Sequence, residues 1–137
     1  MRLLRFWPAA LALLALSACA TAPGRRDAAA DVAVRLLQHV RDGDGTAACA
    51  LLAPGTADAV AKSAGKACAD AIGDEHLPGP GAVTGVDIDG QWAKVALSAA
   101  DGDGTVFLAM FPGGWRVAAA GCRSRGQRPY DCAVQGG

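Results

Sequence analysis

The chain has 137 residues, a length that suits one small domain better than two. Its 13 basic and 13 acidic side chains cancel to a formal net charge of +0, and this balance disfavours a nucleic-acid partner, which a strongly basic chain would attract. Aromatic residues make up only 5% of the sequence. The core must therefore be built mainly from Ala, Val and Leu, and we expect disulfides to offset such a thin core.

The first 18 residues predict a cleaved lipoprotein signal peptide. Two arginines supply positive charge, residues 11–16 form an uncharged apolar stretch, and residues 16–19 (LSAC) resemble the lipobox of bacterial lipoproteins. The apolar stretch is shorter than the roughly 20 residues of a transmembrane helix. We expect lipidation of Cys19 and anchoring of the mature protein to the outer face of the cell membrane. The alternative is an ordinary secretory signal cut beside that site, which would leave Cys19 as a free thiol.

Lipidation of Cys19 would leave four cysteines that can form disulfides outside the cytoplasm, and four thiols allow three connectivities. We favour Cys49 with Cys68 and Cys122 with Cys132, because the members of each pair are close in sequence and each bond would join neighbouring segments. The rival hypothesis is a metal site, which needs closely spaced ligands such as a CxxC pair, and the sequence lacks them. We therefore predict two disulfides, no metal and no cofactor.

Residues 19–26 contain two chain breakers and no hydrophobic period, so we predict a flexible tether that leads into a single domain over residues 27–137. Asp27 is a candidate cap for a first helix that ends at residues 41–43. The expected buried stripe of this helix has the three-and-four spacing of one helical face. It consists of Ala30, Ala33 or Val34, Leu37 and Val40. Further short helices are predicted over residues 46–52, 56–64 and 66–72.

After a connector rich in Gly and Pro at residues 73–81, the hydrophobic period changes to two. The apolar segments are separated by Asp-Gly and Pro-Gly-Gly sequences that suit antiparallel hairpins. Helices followed by a meander predict an α+β fold, in which the first helix packs on a four-stranded antiparallel sheet. The strands are predicted over residues 83–88, 93–97, 106–110 and 115–119.

The mature chain carries a series of cysteine, proline and tryptophan motifs at residues 49–54, 68, 114–117, 120–122, 129–132 and 136–137. These motifs resemble a group of small uncharacterised actinobacterial lipoproteins, which are related in turn to the cone-shaped fold of nuclear transport factor two and ketosteroid isomerase. The resemblance covers nearly all of the mature chain and implies helices packed on a curved, cone-forming sheet. It implies no activity, because no cavity acid can be mapped onto this sequence and the single tyrosine, Tyr130, lies beyond the last predicted strand.

Two tryptophans on adjacent predicted strands, Trp92 and Trp115, are the candidate pocket residues. They would line a concave sheet face or, as the commoner alternative, serve as core or half-buried cover. His39 lies near the end of the first helix, where the helix dipole favours a cation, so we expect a surface role. His76 follows Asp74 and Glu75 in a connector that is too flexible for metal or acid–base geometry. Near the carboxyl end, four arginines form either a solvated polar face or a contact for anionic lipid headgroups or for a partner. They are Arg116, Arg123, Arg125 and Arg128.

The sequence therefore predicts a membrane-anchored extracytoplasmic lipoprotein that acts without catalysis as a binding or accessory module. Its expected partner, besides the membrane, is a small apolar ligand held between the sheet and the first helix, or another envelope protein. The alternative is a cavity enzyme of the ketosteroid isomerase type. A buried Asp or His in an open pocket would favour that enzyme.

Overall fold

Helices precede a five-stranded antiparallel sheet in the computed structural model, which describes residues 24–136. The helices are α1 (Arg25–Arg41), α2 (Gly45–Ala50), α3 (Pro54–Ala64) and α4 (Cys68–Ala71), followed by a 3₁₀ turn (Ile72–Asp74). The strands are β1 (Ala82–Asp89), β2 (Trp92–Ala99), β3 (Gly102–Phe111), β4 (Gly114–Arg125) and β5 (Arg128–Gln135).

The sheet is open and its strands lie in chain order, so each strand pairs with the next one along the sequence. The prediction of four strands is wrong, and with it the four-stranded cone, because β5 adds a fifth strand beside β4. Residues 128–135 contain one fully buried aliphatic side chain, Val134, so their hydrophobic period is weak. Backbone pairing with β4 and an edge-to-face contact between Tyr130 and Phe107, at 5.0 Å between ring centroids, hold the strand instead.

Helix α1 packs on the sheet through small and branched side chains, Ala29, Ala33, Leu36 and Leu37. Ala33 and Leu37 belong to the predicted stripe, whereas the other predicted positions are only partly buried. The buried face is therefore turned slightly from the predicted one. Its Ala residues let the helix backbone approach the strands closely.

Helix α1 begins at Arg25, two residues before the predicted cap at Asp27. The Arg25 guanidinium donates a hydrogen bond to the Gly90 carbonyl oxygen at 2.6 Å, and Arg26 donates to the Val86 carbonyl oxygen at 2.7 Å. These bonds to β1 and its turn hold residues that were predicted to be part of the tether. The signal peptide and Cys19 lie outside the described residues.

One hydrophobic core lies between the helices and the inner face of the sheet. Its largest fully buried aliphatic side chains are Leu36, Leu37, Leu52, Ile72, Val95, Val106, Leu108, Val117 and Val134. The α2–α3 link also joins the sheet directly, because Leu52 forms a parallel bridge with Val117 of β4. The Ala53 amide donates to the Val117 carbonyl oxygen at 2.8 Å, and the Val117 amide donates to the Leu51 carbonyl oxygen at 2.9 Å.

The predicted cysteine pairing is confirmed. Cys49–Cys68 joins α2 to α4, and Cys122–Cys132 joins directly paired residues of β4 and β5. One disulfide therefore cross-links two helices, and the other cross-links two neighbouring strands of the sheet. Along residues 24–136, no helix combines the length and the apolar character needed to cross a membrane.

Candidate functional site

A groove runs between the first half of α1, the end of α2 and the β3–β4 turn, and we call it the α1 groove. It encloses about 910 Å³. Its apolar wall consists of Ala28, Val32, Leu51, Met110 and Trp115. Its charged rim consists of Arg25, Asp27, Asp31, Arg35 and Arg116. An apolar wall with a few polar groups at its edge is typical of small-molecule sites.

Trp115 is the largest side chain of the groove wall. It is only 5% exposed, and its Nε1 atom is buried without a hydrogen-bond partner among the described residues. The Arg25 guanidinium lies 5.3 Å from the centroid of the indole ring, within range of a cation–π interaction. A buried donor without an acceptor costs about 1–3 kcal/mol. Trp115, a residue that lines the groove, therefore carries a hydrogen-bond donor that the described residues leave unused.

The three arginines of the rim are held in place by other groups. Arg25 donates to the Gly90 carbonyl oxygen, and Arg116 donates to the carbonyl oxygen of Ala50 at the end of α2. Arg35 pairs with Asp31 one helical turn earlier, at 3.1 Å between Nη1 and Oδ2. These contacts fix the position of the cations around the mouth of the groove.

The carboxylates of the α1 groove, Asp27 and Asp31, are exposed to solvent, and no histidine of the described residues lines it. The enzyme alternative requires a buried acid or base in an open pocket. The residues that line this groove do not supply such a group.

The two candidate pocket residues lie on opposite faces of the sheet, and the prediction that they stand on adjacent segments is wrong, because β3 separates β2 from β4. Trp115 pairs with Met110 and faces the helices, whereas Trp92 pairs with Ala109 and is 59% exposed on the outer face. Met110 and Ala109 are successive residues of β3, and successive side chains of a strand point to opposite faces. Trp115 therefore belongs to the groove and Trp92 does not.

Sequence reasoning missed the groove residues that come from α1 and α2. Arg25 lies within the predicted tether, so the sequence gives no indication that its guanidinium lies over the Trp115 ring. Leu51 follows a short helix and reaches the groove through the bridge between the α2–α3 link and β4. The sequence feature that points to the groove is Trp115, a large aromatic residue in a chain with few aromatic residues.

A second pocket, of about 390 Å³, lies at the opposite end of the sheet. Its lining includes several ionisable side chains, which are Glu75, His76, Asp101, Asp103, Arg123 and Asp131. The Asp101 carboxylate already accepts a hydrogen bond from the Gly79 amide at 3.0 Å. No group of three or more metal-binding side chains is found in the part of the chain that the structure describes.

The acidic connector that contains His76 is tied to the helical layer. Asp74 pairs with Lys66 at 2.9 Å, and this hydrogen bond and the opposite charge lower the pKa of Asp74 and raise the pKa of Lys66. The stabilisation by this exposed pair is lost as the pH falls through the pKa of Asp74, or rises through that of Lys66. Between these limits the contribution of the pair does not change with pH.

The arginines near the carboxyl end do not form one cluster. Arg116 lies at the start of β4 beside the α1 groove, whereas Arg123, Arg125 and Arg128 lie near the β4–β5 turn at the other end of the sheet. Arg125 donates to the Pro129 carbonyl oxygen at 3.0 Å, across that turn. Arg116 is thus the only one of the four that lies at the groove.

Comparison with protein-family models, with curated proteins and with solved structures found no match to this chain. The resemblance to actinobacterial lipoproteins, which the cysteine and Trp-Arg-Val motifs suggest, stays a prediction.

Proposed function

We propose that this protein is an extracytoplasmic lipoprotein, anchored to the outer face of the cell membrane through Cys19, that binds a small and largely apolar ligand in the α1 groove. It acts as a binding module without catalysing a reaction. The observation that carries the ligand proposal is the α1 groove itself, whose apolar wall is bordered by cations and includes Trp115, a residue whose indole N–H has no partner among the described residues.

The chemistry of the groove defines the class of ligand. Val32, Leu51 and Met110 offer an apolar surface, so the body of the ligand is apolar. The ligand also carries one acceptor oxygen, which satisfies the Trp115 N–H once a rotation of the indole ring brings this buried donor to the groove surface. The rim cations Arg25 and Arg116 favour an acceptor that has negative charge.

The volume of the groove is consistent with this proposal. About 910 Å³ falls within the range of roughly 300–1,000 Å³ that is usual for small-molecule pockets. The groove is open to solvent along the rim, so a ligand can enter without unfolding of α1. Neither exposed carboxylate of the groove is needed for binding.

The experiment is a titration of the mature protein with 1-anilinonaphthalene-8-sulfonate, a probe with an apolar body and an anionic acceptor, followed by probe fluorescence. Trp115→Phe keeps most of the ring and removes the N–H. We expect this variant to bind the probe about 5-fold more weakly, which corresponds to ~1 kcal/mol for one hydrogen bond.

A pair of matched variants separates the groove from other apolar surface. Val32→Glu places a charge in the groove wall and should abolish saturable binding, whereas Val83→Glu places the same charge at an exposed site outside the groove and should leave binding unchanged. Equal binding by both Glu variants would refute the ligand proposal.

A further inference from the structure

The start of the described chain is fixed at one end of the sheet. Arg25 and Arg26, which open α1, donate hydrogen bonds to the carbonyl oxygens of Gly90 and Val86, in the β1–β2 turn and in β1. The chain that precedes α1 must therefore reach the domain at this end. Only five peptide steps separate Cys19 from Gly24, and they span at most ~18 Å when fully extended.

The same end of the sheet exposes two large aromatic side chains. Trp92 is 59% exposed and Phe111 is 36% exposed. Trp92 is paired with Ala109, so Phe111, two residues further along β3, is its diagonal neighbour on the outer face, at roughly 7–8 Å. The other exposed large hydrophobic residue of the described chain, Val83, lies towards the opposite end of β1.

Basic and acidic groups lie at the same end of the molecule as these aromatic side chains. Arg25, Arg26 and Arg116 supply three positive charges, and Asp27 and Asp89 supply two negative charges, so the end carries a small positive excess. On the outer face beside Trp92, Lys94 and Asp87 neutralise each other at 3.2 Å. This composition suits a surface that combines an apolar interior with weakly anionic headgroups.

We propose that this end of the molecule, defined by Trp92, Phe111, Arg25 and Arg26 and called the docking end, rests on the lipid bilayer. The proposal rests on the Cys19 anchor of the proposed function, because the short link to Cys19 holds this end within reach of the membrane. Trp92 lies at the level of the headgroups, where tryptophan is enriched in membrane proteins, and Phe111 lies beside it. Arg25 and Arg26 contact anionic headgroups.

Docking in this orientation also places the α1 groove at the membrane. Arg25, Gly114 and Trp115, which line the groove, belong to the same end of the sheet as Trp92. The mouth of the groove therefore opens close to the headgroups. An apolar ligand passes between bilayer and groove without crossing bulk water.

The test uses the mature chain coupled through Cys19 to vesicles of phosphatidylcholine and phosphatidylglycerol that contain a maleimide lipid and brominated acyl chains. Cys19 is the one thiol outside the two disulfides among the five cysteines, so the coupling is specific. Trp115→Phe leaves Trp92 as the only tryptophan of the mature chain. We expect its emission to shift to shorter wavelength and to be quenched at least 2-fold.

The matched control moves the tryptophan to the other exposed apolar site. The triple variant Trp92→Phe, Trp115→Phe and Val83→Trp should show little quenching on the same vesicles, because Val83 lies away from the docking end. Equal quenching at both positions, or none at Trp92, would overturn the proposed orientation. Circular dichroism of each variant reports whether it is folded.

One further outcome would assign this surface to a different partner. The Trp92 emission could shift to shorter wavelength only as more protein is coupled per vesicle, without quenching by the brominated lipid. This result would assign the surface to a second copy of the chain and overturn membrane docking. Because the maleimide bond replaces the natural lipid, the result does not depend on whether Cys19 is lipidated in cells.

Discussion

Thr56 shows how a single polar side chain can stabilise the contact between the two layers. It is 2% exposed, and its hydroxyl donates a hydrogen bond to the Ala118 carbonyl oxygen of β4 at 2.9 Å. The Gly136 amide donates to the same oxygen at 3.1 Å. The third helix is predicted to begin at residue 56, but α3 begins at Pro54, and the Thr56 hydroxyl bonds to the sheet.

Thr56→Val keeps the shape of the side chain and removes the hydroxyl. We expect a loss of ~1 kcal/mol in the free energy of unfolding, because one buried hydrogen bond disappears while the Gly136 amide still satisfies Ala118. Urea denaturation followed by circular dichroism measures the change. Thr46→Val, at an exposed site in α2, is the control and should change stability by less than about 0.5 kcal/mol. Equal losses in both variants would contradict this role for Thr56.

Strand β5 depends on a different combination of forces from the other strands. It lies at one edge of the sheet, pairs only with β4, and places one fully buried aliphatic side chain, Val134, in the core. The Cys122–Cys132 disulfide joins it to β4 at directly paired positions. We infer that this covalent link compensates for the small apolar area that β5 buries.

Replacement of Cys122 and Cys132 by Ser should therefore loosen β5 in particular. The chain-entropy model gives a loss of about 3 kcal/mol for a loop of this length. Hydrogen exchange should show that the β5 amides lose protection before those of β3. The matched variant Cys49→Ser with Cys68→Ser should cost a similar free energy, about 3 kcal/mol in the same model, while β5 stays protected. Unchanged protection of β5 after loss of its own disulfide would show that backbone pairing alone holds the strand.

The whole molecule has two layers with different exposures. The helices cover the inner face of the sheet, and the outer face exposes Trp92 at the end where α1 begins. The two ends of the molecule differ, because the start of the described chain, the exposed aromatic pair and the mouth of the α1 groove all lie at one of them. A membrane anchor at Cys19 would hold this end of the molecule near the bilayer.

Cys19→Ala should abolish the incorporation of labelled fatty acid in growing cells and leave the precursor with its signal peptide. The reason is that the thiol of residue 19 is the only group at which the predicted lipobox can be alkylated. Gel analysis of labelled protein measures both effects. Cys122→Ala, which removes a disulfide cysteine, should still be labelled. Persistent labelling of the Cys19→Ala chain would disprove the anchor.

The sequence alone determined the order of helices before strands and four of the five strands, because turn residues and hydrophobic periods are local signals. It favoured both disulfide pairs, because their members are close in sequence, and the structure chose this connectivity among the three that four thiols allow. It identified Trp115 as a candidate pocket residue, but it placed Trp92 beside it. Only the tertiary structure decided the opposite faces of these tryptophans, the fifth strand and the position of Arg25 over the indole ring. These features depend on strand register and on contacts between residues far apart in sequence, and a one-residue change of register reverses the face of every side chain in a strand.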